Sequence, residues 1–166
     1  MIVIALGTNL GDRMANLQRA LVQLDAAGVK ISRTSSVYET AALLPEGAPA
    51  EWNIPYLNMV VTGEADDTPD GLLAKTQAIQ TEMGREDIGR WGPRIIDIDL
   101  LDVNGECCVT EHLTLPHSEM LKRDFVMVPL AEIAPDWQHP LTGQKAADCV
   151  TKQGYSCGDH LKKMDE

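Results

Sequence analysis

The chain has 166 residues, of which 44% are hydrophobic and 4% aromatic, and its formal net charge is −11. This length and composition predict a single globular domain over residues 1–166, with enough apolar side chains for a sizeable core. The negative charge argues against non-specific binding to nucleic acid or anionic membranes, and no stretch approaches the ~20 apolar residues of a membrane helix.

The first elements follow a strand–turn–helix pattern. Residues 2–6 are an apolar run, which predicts a buried strand. The two glycines and the asparagine of residues 7–12 predict a turn. Asp12 is the expected N-cap of a helix that ends at Gly28 and carries Met14 and three leucines on one stripe. The turn has either of two interpretations, a phosphate-binding loop with unusual spacing or a simple strand-to-helix connection.

The next segment predicts two strands separated by a long loop. Residues 29–39 alternate between polar and partly apolar side chains. Residues 40–55 contain three prolines and no periodicity, and such loops are commonly lids or binding segments. Residues 56–61 predict a strand on which Tyr56 and Asn58 share a face. That pair suits a flat heterocycle, although a half-exposed strand face is the simpler explanation.

Turn and cap signals organise the second half. Thr68 and Pro69 mark the start of a helix that ends at Gly84. The Asn104-Gly105 pair is a hairpin signal, so residues 95–103 and 106–110 are expected to pair antiparallel.

The order of elements predicts the fold class. Residues 126–133 predict an apolar helix or turn, and residues 155–166 a frayed polar tail. The preceding order is β-α-β-β-α-β, which indicates an α+β protein with a ferredoxin-like βαββαβ core, a mainly antiparallel sheet and helices packed on one face. The opposite face is either free for ligands or covered by the carboxyl-terminal segment.

The most informative stretch is residues 90–101, Arg-Trp-Gly-Pro-Arg-Ile-Ile-Asp-Ile-Asp-Leu-Leu. Side chains alternate along a strand, so Asp97 and Asp99 share a face of an otherwise apolar strand. Their mutual repulsion calls for a cation, and Mg²⁺ suits carboxylates together with substrate phosphates. A solvated strand face is the alternative for an isolated Asp-x-Asp. Three upstream arginines favour phosphate and metal binding, because guanidinium groups suit phosphate oxygens: Arg85, Arg90 and Arg94.

Residues 90–101 resemble the signature of the 6-hydroxymethyl-7,8-dihydropterin pyrophosphokinase family of the folate pathway. Further features of that family occur in the same order, and the resemblance spans residues 2–135: Gly7-Thr8-Asn9-Leu10-Gly11, Tyr38, Thr40, Tyr56-Leu57-Asn58, Gly84-Arg85, Leu115-Pro116-His117, Arg123 and Phe125. The resemblance implies transfer of the β,γ-pyrophosphoryl unit of ATP to the hydroxymethyl oxygen of the pterin, with release of AMP.

The resemblance also implies roles for individual residues. Asp97 and Asp99 match the ligands of two Mg²⁺ ions. The residues implied in catalysis are Arg85, Trp91, Arg94, Asp97 and Asp99. The ATP-binding positions are Arg85, Arg94, Ile98, Thr114, His117 and Arg123. The pterin-binding positions are Thr40, Leu43, Tyr56, Asn58, Asp97 and Phe125, with Phe125 stacking on the pterin. Trp91 belongs to a loop that closes over the site.

Five positions depart from the family pattern, and two of them are Ala41, in place of a proline beside Thr40, and Ser118, where an aromatic or polar side chain is usual. The family often has an acid at Gln80, an arginine at Asp87 and a basic residue at His112. These departures concern the ATP contacts and the rate, and an inactive pterin- or nucleotide-binding relative is one alternative. A ferredoxin-like interaction module without a ligand is another.

The remaining expectations concern context. The four cysteines lack zinc-type spacing and the amino terminus lacks the charged region of a signal peptide, so we expect a cytoplasmic protein with reduced thiols. We expect a monomer that acts on small molecules and binds neither nucleic acid nor membranes. His160 and His139 are expected to have no functional role.

Overall fold

The computed structural model describes residues 1–165. The strands are β1 (Ile2–Thr8), β2 (Lys30–Thr34), β3 (Tyr38–Thr40), β4 (Tyr56–Glu64), β5 (Asp97–Val103), β6 (Cys108–Val109), β7 (Thr114–Leu115) and β8 (Leu161–Lys163). The helices are α1 (Arg13–Ala26), α2 (Pro69–Glu82), α3 (Asp124–Ile133) and α4 (Ala146–Gln153), with 3₁₀ turns at Ala50–Trp52 and Met120–Lys122.

An antiparallel sheet with helices packed on it confirms the predicted fold class. Its strand order is β5-β1-β4-β3-β8, with β2 also paired to β4, and every pairing is antiparallel. The central strand β1 pairs with β4 on one side and β5 on the other. The elements β1, α1, β2 with β3, β4, α2 and β5 therefore form the ferredoxin-like βαββαβ core.

The predicted caps begin the first two helices. Asp12 Oδ1 accepts a hydrogen bond from Ala15 N at 3.1 Å, and Thr68 Oγ1 accepts one from Gly71 N at 3.1 Å. Each cap satisfies a backbone N–H that has no partner within its helix. The chain leaves α1 through Gly28, whose φ of 93° is readily adopted only by glycine. Met14 does not join the buried stripe of α1, because its side chain is 43% exposed.

The sheet separates two hydrophobic clusters. Helices α1 and α2 cover the face that carries Ile4, Leu6 and Ile98, whereas α3 and α4 pack on the face that carries Val3, Val60 and Leu101. Helices α3 and α4 therefore cover one half of the second face. The other half of that face carries Asp97 and Asp99, beyond the part that α3 and α4 cover.

The predicted hairpin of residues 95–103 with 106–110 is wrong. The turn itself is present, with Asn104 at φ 54° and Gly105 at φ 73°. However, β6 pairs with β7 and not with β5. At the outer edge of β5, the backbone N–H of His117 donates a hydrogen bond to Leu101 O at 2.9 Å. Buried leucines in and before β7 hold this short ribbon against the core instead of extending the sheet.

Two further expectations need correction, and one helix was not predicted. The predicted strand over residues 29–39 is divided into β2 and β3, because Ser35 leaves the strand and its hydroxyl accepts a hydrogen bond from Val60 N at 2.9 Å. Helix α4 was not predicted from the sequence. The tail predicted to be frayed contains β8, which pairs with β3 and buries Leu161 completely. One buried leucine in a polar segment leaves almost no periodic signal.

Candidate active site

A cavity of about 500 Å³ opens on the uncovered half of the second sheet face. Its walls come from β1, β3, β4, β5, the loop before β5 and the start of α3. Ten of the predicted site residues line it: Thr40, Leu43, Tyr56, Asn58, Trp91, Arg94, Asp97, Asp99, Arg123 and Phe125. The pterin-binding and metal-binding predictions therefore converge on one space.

Strand register brings the two halves of this cavity together. Gly7 in β1 is opposite Asn58 in β4 and opposite Asp97 in β5. A Cβ atom at Gly7 would lie 3.4 Å from Asn58 Oδ1 and 4.0 Å from Asp97 Cβ. The absence of a side chain here leaves an open floor between the carboxamide and the carboxylate.

Two arginines bind Asp97. Arg85 Nη1 donates to Asp97 Oδ1 at 2.8 Å, and Arg94 Nη1 donates to Asp97 Oδ2 at 2.9 Å. All three side chains are about one quarter exposed, so the cluster is reachable from the cavity. Guanidinium groups in such an arrangement can exchange a carboxylate for phosphate oxygens.

Asp99 has a different electrostatic environment on the same face of β5. Burial raises its pKa from 3.8 to about 6, and the negative charge of Asp97 adds to this increase. The positive charges of Arg123, Arg85 and Arg94 act in the opposite direction. Asp99 therefore holds a charge that the protein alone compensates incompletely, which is the condition that favours binding of a cation.

Gln80 connects the arginine cluster to the backbone between the two aspartates. Its Oε1 accepts hydrogen bonds from Arg85 Nη1 at 2.6 Å and from Ile98 N at 2.8 Å. The side chain is only 9% exposed, so both bonds are largely shielded from water. The sequence analysis identified this position only as a departure from the family pattern.

Asn9 fixes the loops at the edge of the cavity. Its Oδ1 accepts from Arg94 N at 2.7 Å, its Nδ2 donates to Ile54 O at 3.0 Å, and its backbone N–H donates to Arg94 O at 3.0 Å. The residue is 1% exposed. These contacts favour the strand-to-helix interpretation of residues 7–12, because they use the polar groups of Asn9 within the protein.

The wall of the cavity that carries Thr40, Asn58 and Phe125 suits a flat ring with polar edges. Asn58 Nδ2 donates to Thr40 Oγ1 at 2.9 Å, which orders both side chains at one end of the wall. At the other end, the Arg123 guanidinium lies 5.7 Å from the centroid of the Phe125 ring. Burial raises the pKa of Tyr56, partly offset by Arg94, so its phenol stays neutral.

The loop before β5 lies at the mouth of the cavity. Trp91 is 40% exposed, and the Arg90 guanidinium lies 5.0 Å from its ring centroid. This geometry is compatible with the predicted closing role of Trp91, because its exposed ring lies at the mouth of the cavity.

Some predicted residues lie outside the cavity. Arg85 contacts it only through Asp97, and the Ile98 side chain is buried in the cluster beneath α1 and α2. Thr114 lies in β7, and His117 is half-buried next to it. Burial lowers the pKa of His117, and the charge of Arg123 lowers it further. The nucleotide-binding role of these residues stays a prediction.

The cavity also contains residues that the sequence analysis missed. Lys122, Asp124 and His160 line it. The first two flank Arg123 and Phe125, so their proximity was available from the sequence. His160 was expected to have no role, and only the pairing of β8 with β3 brings it to this site.

Within residues 1–165, no helix is long and apolar enough to cross a bilayer. The four cysteines are free thiols in this part of the chain. The same residues contain no cluster of three or more histidine, cysteine, aspartate or glutamate side chains able to hold a metal.

Comparisons with known proteins agree with these features. The model of the family described as 7,8-dihydro-6-hydroxymethylpterin-pyrophosphokinase matches residues 3–135. The chain is 44% identical over 131 residues to the 2-amino-4-hydroxy-6-hydroxymethyldihydropteridine pyrophosphokinase of Bacillus subtilis, which covers 78% of this chain and 75% of that protein. The Synechocystis protein of the same name is 39% identical over 143 residues, covering 86% of this chain and 70% of that protein.

Other relatives are longer than this chain. It is 38% identical over 144 residues to a folate synthesis bifunctional protein of Chlamydia trachomatis, covering 86% of this chain and 32% of that protein. It therefore spans about a third of such a relative. A crystal structure of wild-type Plasmodium falciparum HPPK-DHPS with pteroate has a TM-score of 0.72 at 14% identity, covering 98% of this chain and 47% of that chain. This likeness supports the fold.

Proposed function

The chain belongs to the 7,8-dihydro-6-hydroxymethylpterin-pyrophosphokinase family, and on this premise we propose that it is an active pyrophosphokinase of folate biosynthesis. The reaction transfers the β,γ-pyrophosphoryl group of ATP to the hydroxymethyl oxygen of 6-hydroxymethyl-7,8-dihydropterin. The products are AMP and the pterin diphosphate.

One observation carries the proposal. The Asp97–Asp99 pair, with Arg85 and Arg94 bound to Asp97, borders the same cavity as a wall for a flat ring. Pyrophosphoryl transfer requires an anion site directly beside a site for the acceptor alcohol. A protein that only bound a pterin or only bound a nucleotide has no need for both.

The acceptor side of the cavity accounts for pterin recognition. Asn58 and Thr40 present amide and hydroxyl groups for the polar edge of the ring, and Phe125 presents an aromatic face for stacking. Tyr56 and Leu43 complete the contacts at this wall. The hydroxymethyl group of the pterin supplies the nucleophilic oxygen, so no nucleophilic side chain is required.

Asp97 and Asp99 would hold the two Mg²⁺ ions that the family implies. Carboxylate oxygens are the ligands that Mg²⁺ prefers, and the raised pKa of Asp99 shows a negative charge without full compensation. The described residues provide no third metal-binding side chain nearby, so phosphate oxygens and water would complete the coordination. When bound, the metal ions neutralise charge on the transferred group and align the reacting oxygens.

Arginines supply the remaining positive charge. Arg85 and Arg94 would exchange their bonds to Asp97 for bonds to the phosphates of ATP. Arg123 lies beside Phe125 in the same cavity. We assign Ile98, Thr114 and His117 to the nucleotide-binding surface next to this cluster. Trp91 and the long loop of residues 41–55 would close over the substrates and exclude water, which competes as an acceptor.

The departures from the family pattern are compatible with activity. Gln80 retains hydrogen bonds to Arg85 and Ile98, and Asp87 accepts one from the Gly89 N–H at 3.2 Å, which shapes the loop before Trp91. His112 is exposed and lies outside the cavity. We further propose a cytoplasmic monomer that acts on small molecules and does not bind nucleic acid, in keeping with its net charge of −11 and its free thiols.

A product assay tests the proposed function. The purified chain is incubated with ATP, Mg²⁺ and 6-hydroxymethyl-7,8-dihydropterin, and the adenine nucleotides are separated. We expect AMP that depends on the pterin, without ADP. Formation of ADP would instead mean transfer of a single phosphoryl group, and binding of ATP without any product would mean an inactive relative.

A further inference from the structure

The carboxyl-terminal segment, residues 155–164, lies beyond the part of the chain that the family model matches. Its strand β8 pairs antiparallel with β3, so that Leu161 is opposite Thr40 and Lys163 is opposite Tyr38. Leu161 is fully buried, and the backbone N–H of Met164 donates to Val37 O at 2.8 Å. The segment is therefore an ordered edge of the sheet next to the cavity.

His160 connects this edge to the start of α3. Its side chain lines the cavity, and its Nε2 lies 2.9 Å from Asp124 Oδ2. The Asp124 side chain is 19% exposed and its Oδ1 accepts a hydrogen bond from Phe125 N at 2.7 Å. The imidazole, whose side chain is 69% exposed, thus lies next to the carboxylate that accepts the hydrogen bond from the backbone of Phe125.

Two additional contacts join the same segment to α3 and the turn before it. The Tyr155 hydroxyl donates to Leu121 O at 3.1 Å, just upstream of Arg123. Lys163 Nζ lies 3.8 Å from Glu132 Oε1, near the end of α3. Residues 155–164 therefore contact α3 near both of its ends, and Phe125 lies at the end that faces the cavity.

We propose that the carboxyl-terminal segment forms a wall of the pterin pocket and that His160 is a positioning residue, which orients Phe125 through Asp124. This inference rests on the proposed function and adds a determinant of pterin affinity outside the matched family region. Arg85, Arg94, Asp97 and Arg123 have no hydrogen bond to this segment among the described residues, so nucleotide binding should be independent of it.

The test compares single variants of the full chain. His160→Ala should weaken pterin binding by about two- to fivefold, the range expected from losing one largely exposed side-chain contact, and leave ATP binding unchanged. The KM for the pterin should rise without a matching fall in kcat. His160→Gln should restore affinity, because its amide nitrogen can occupy the place of Nε2. Lys162→Ala, an exposed neighbour on β8, serves as the matched control and should behave like wild type.

A double-mutant cycle tests whether the effect passes through Asp124. In an Asp124→Ala background, replacing His160 should cause no further loss of pterin affinity. Wild-type pterin affinity in His160→Ala, or an equal loss in Lys162→Ala, would overturn the proposal. Pterin affinity is measured by direct fluorescence titration. A chain that binds the pterin but forms no AMP would therefore refute the proposed function and still decide the role of His160.

Discussion

Asp97 and Asp99 share one face of β5 but differ in how far the protein compensates their negative charges. Asp97 accepts hydrogen bonds from Arg85 and Arg94, whereas burial and the charge of Asp97 raise the pKa of Asp99 to about 6. Two guanidinium groups compensate the charge of Asp97, whereas the charge of Asp99 is compensated only in part. This asymmetry makes the two aspartates distinguishable in experiments.

Asp97→Ala should abolish pyrophosphoryl transfer and retain the fold. The substitution removes a proposed metal ligand and the partner of two arginines, while it relieves the repulsion between the aspartates. AMP formation and thermal unfolding followed by circular dichroism measure the two effects. Activity close to wild type would contradict the assignment of Asp97 as a metal ligand.

Asp99→Asn should stabilise the ligand-free protein at pH 8 and not at pH 3.5. Because the fold raises the pKa of Asp99 from 3.8 to about 6, its contribution to stability is fully present below about pH 3.8 and is lost as the pH rises through about 6. The asparagine variant avoids this loss, which is on the order of 1–3 kcal/mol.

Urea unfolding in the presence of a chelator, repeated across this pH range, measures the difference. Asp66→Asn removes an exposed carboxylate before α2 and is the matched control. A stability gain that does not vary with pH would contradict the electrostatic explanation. The stabilised variant should be inactive, because it lacks the proposed metal ligand.

Phe125→Ala should weaken pterin binding more than ATP binding. The ring lines the acceptor wall, and stacking is worth on the order of 0.5–1.5 kcal/mol beyond the burial of its area. Separate calorimetric titrations with the pterin and with ATP measure both affinities. Equal losses for the two ligands would argue against a stacking role and for a general disturbance of α3.

Gln80→Ala should destabilise the protein and lower kcat. The substitution leaves the buried Ile98 N–H without its hydrogen-bond acceptor, and such an unsatisfied group costs about 1–3 kcal/mol. It also removes one hydrogen bond that positions Arg85. Gln77→Ala, an exposed position on the same helix, is the matched control. If both variants unfold at the same urea concentration, the Gln80 hydrogen bonds contribute little.

Local signals in the sequence predicted the parts of the site that depend on neighbouring residues. The alternation around Asp97 and Asp99 and the caps at Asp12 and Thr68 were correct because each depends on a few consecutive residues. The ordered family motifs then identified residues of both walls. These include Phe125, which neither periodicity nor spacing would assign a role, and Asn58, which strand alternation alone left open between a heterocycle site and a half-exposed strand face.

The contacts that sequence reasoning missed join distant parts of the chain. Asn9 bonds to Arg94, Gln80 to Ile98, and His160 to Asp124, and no periodic pattern links such pairs. The Asn104-Gly105 turn was correctly located, but the chain beyond it pairs elsewhere. The partner of a strand edge depends on competition among all available edges, which a turn motif does not reveal.

The position of β1 between β4 and β5 has a consequence for folding. The glycine that separates Asn58 from Asp97 is near the start of the chain, whereas the residues beside it come from the middle of the sequence and beyond. Pairings of such long sequence separation close slowly, because a large loop must be ordered before any contact forms. During synthesis β1 and β4 can pair well before β5 emerges, whereas Phe125 and residues 155–164, which complete the acceptor wall, emerge after it. Pterin binding and pterin-dependent AMP should therefore both appear only after the last strand of the sheet has joined the fold.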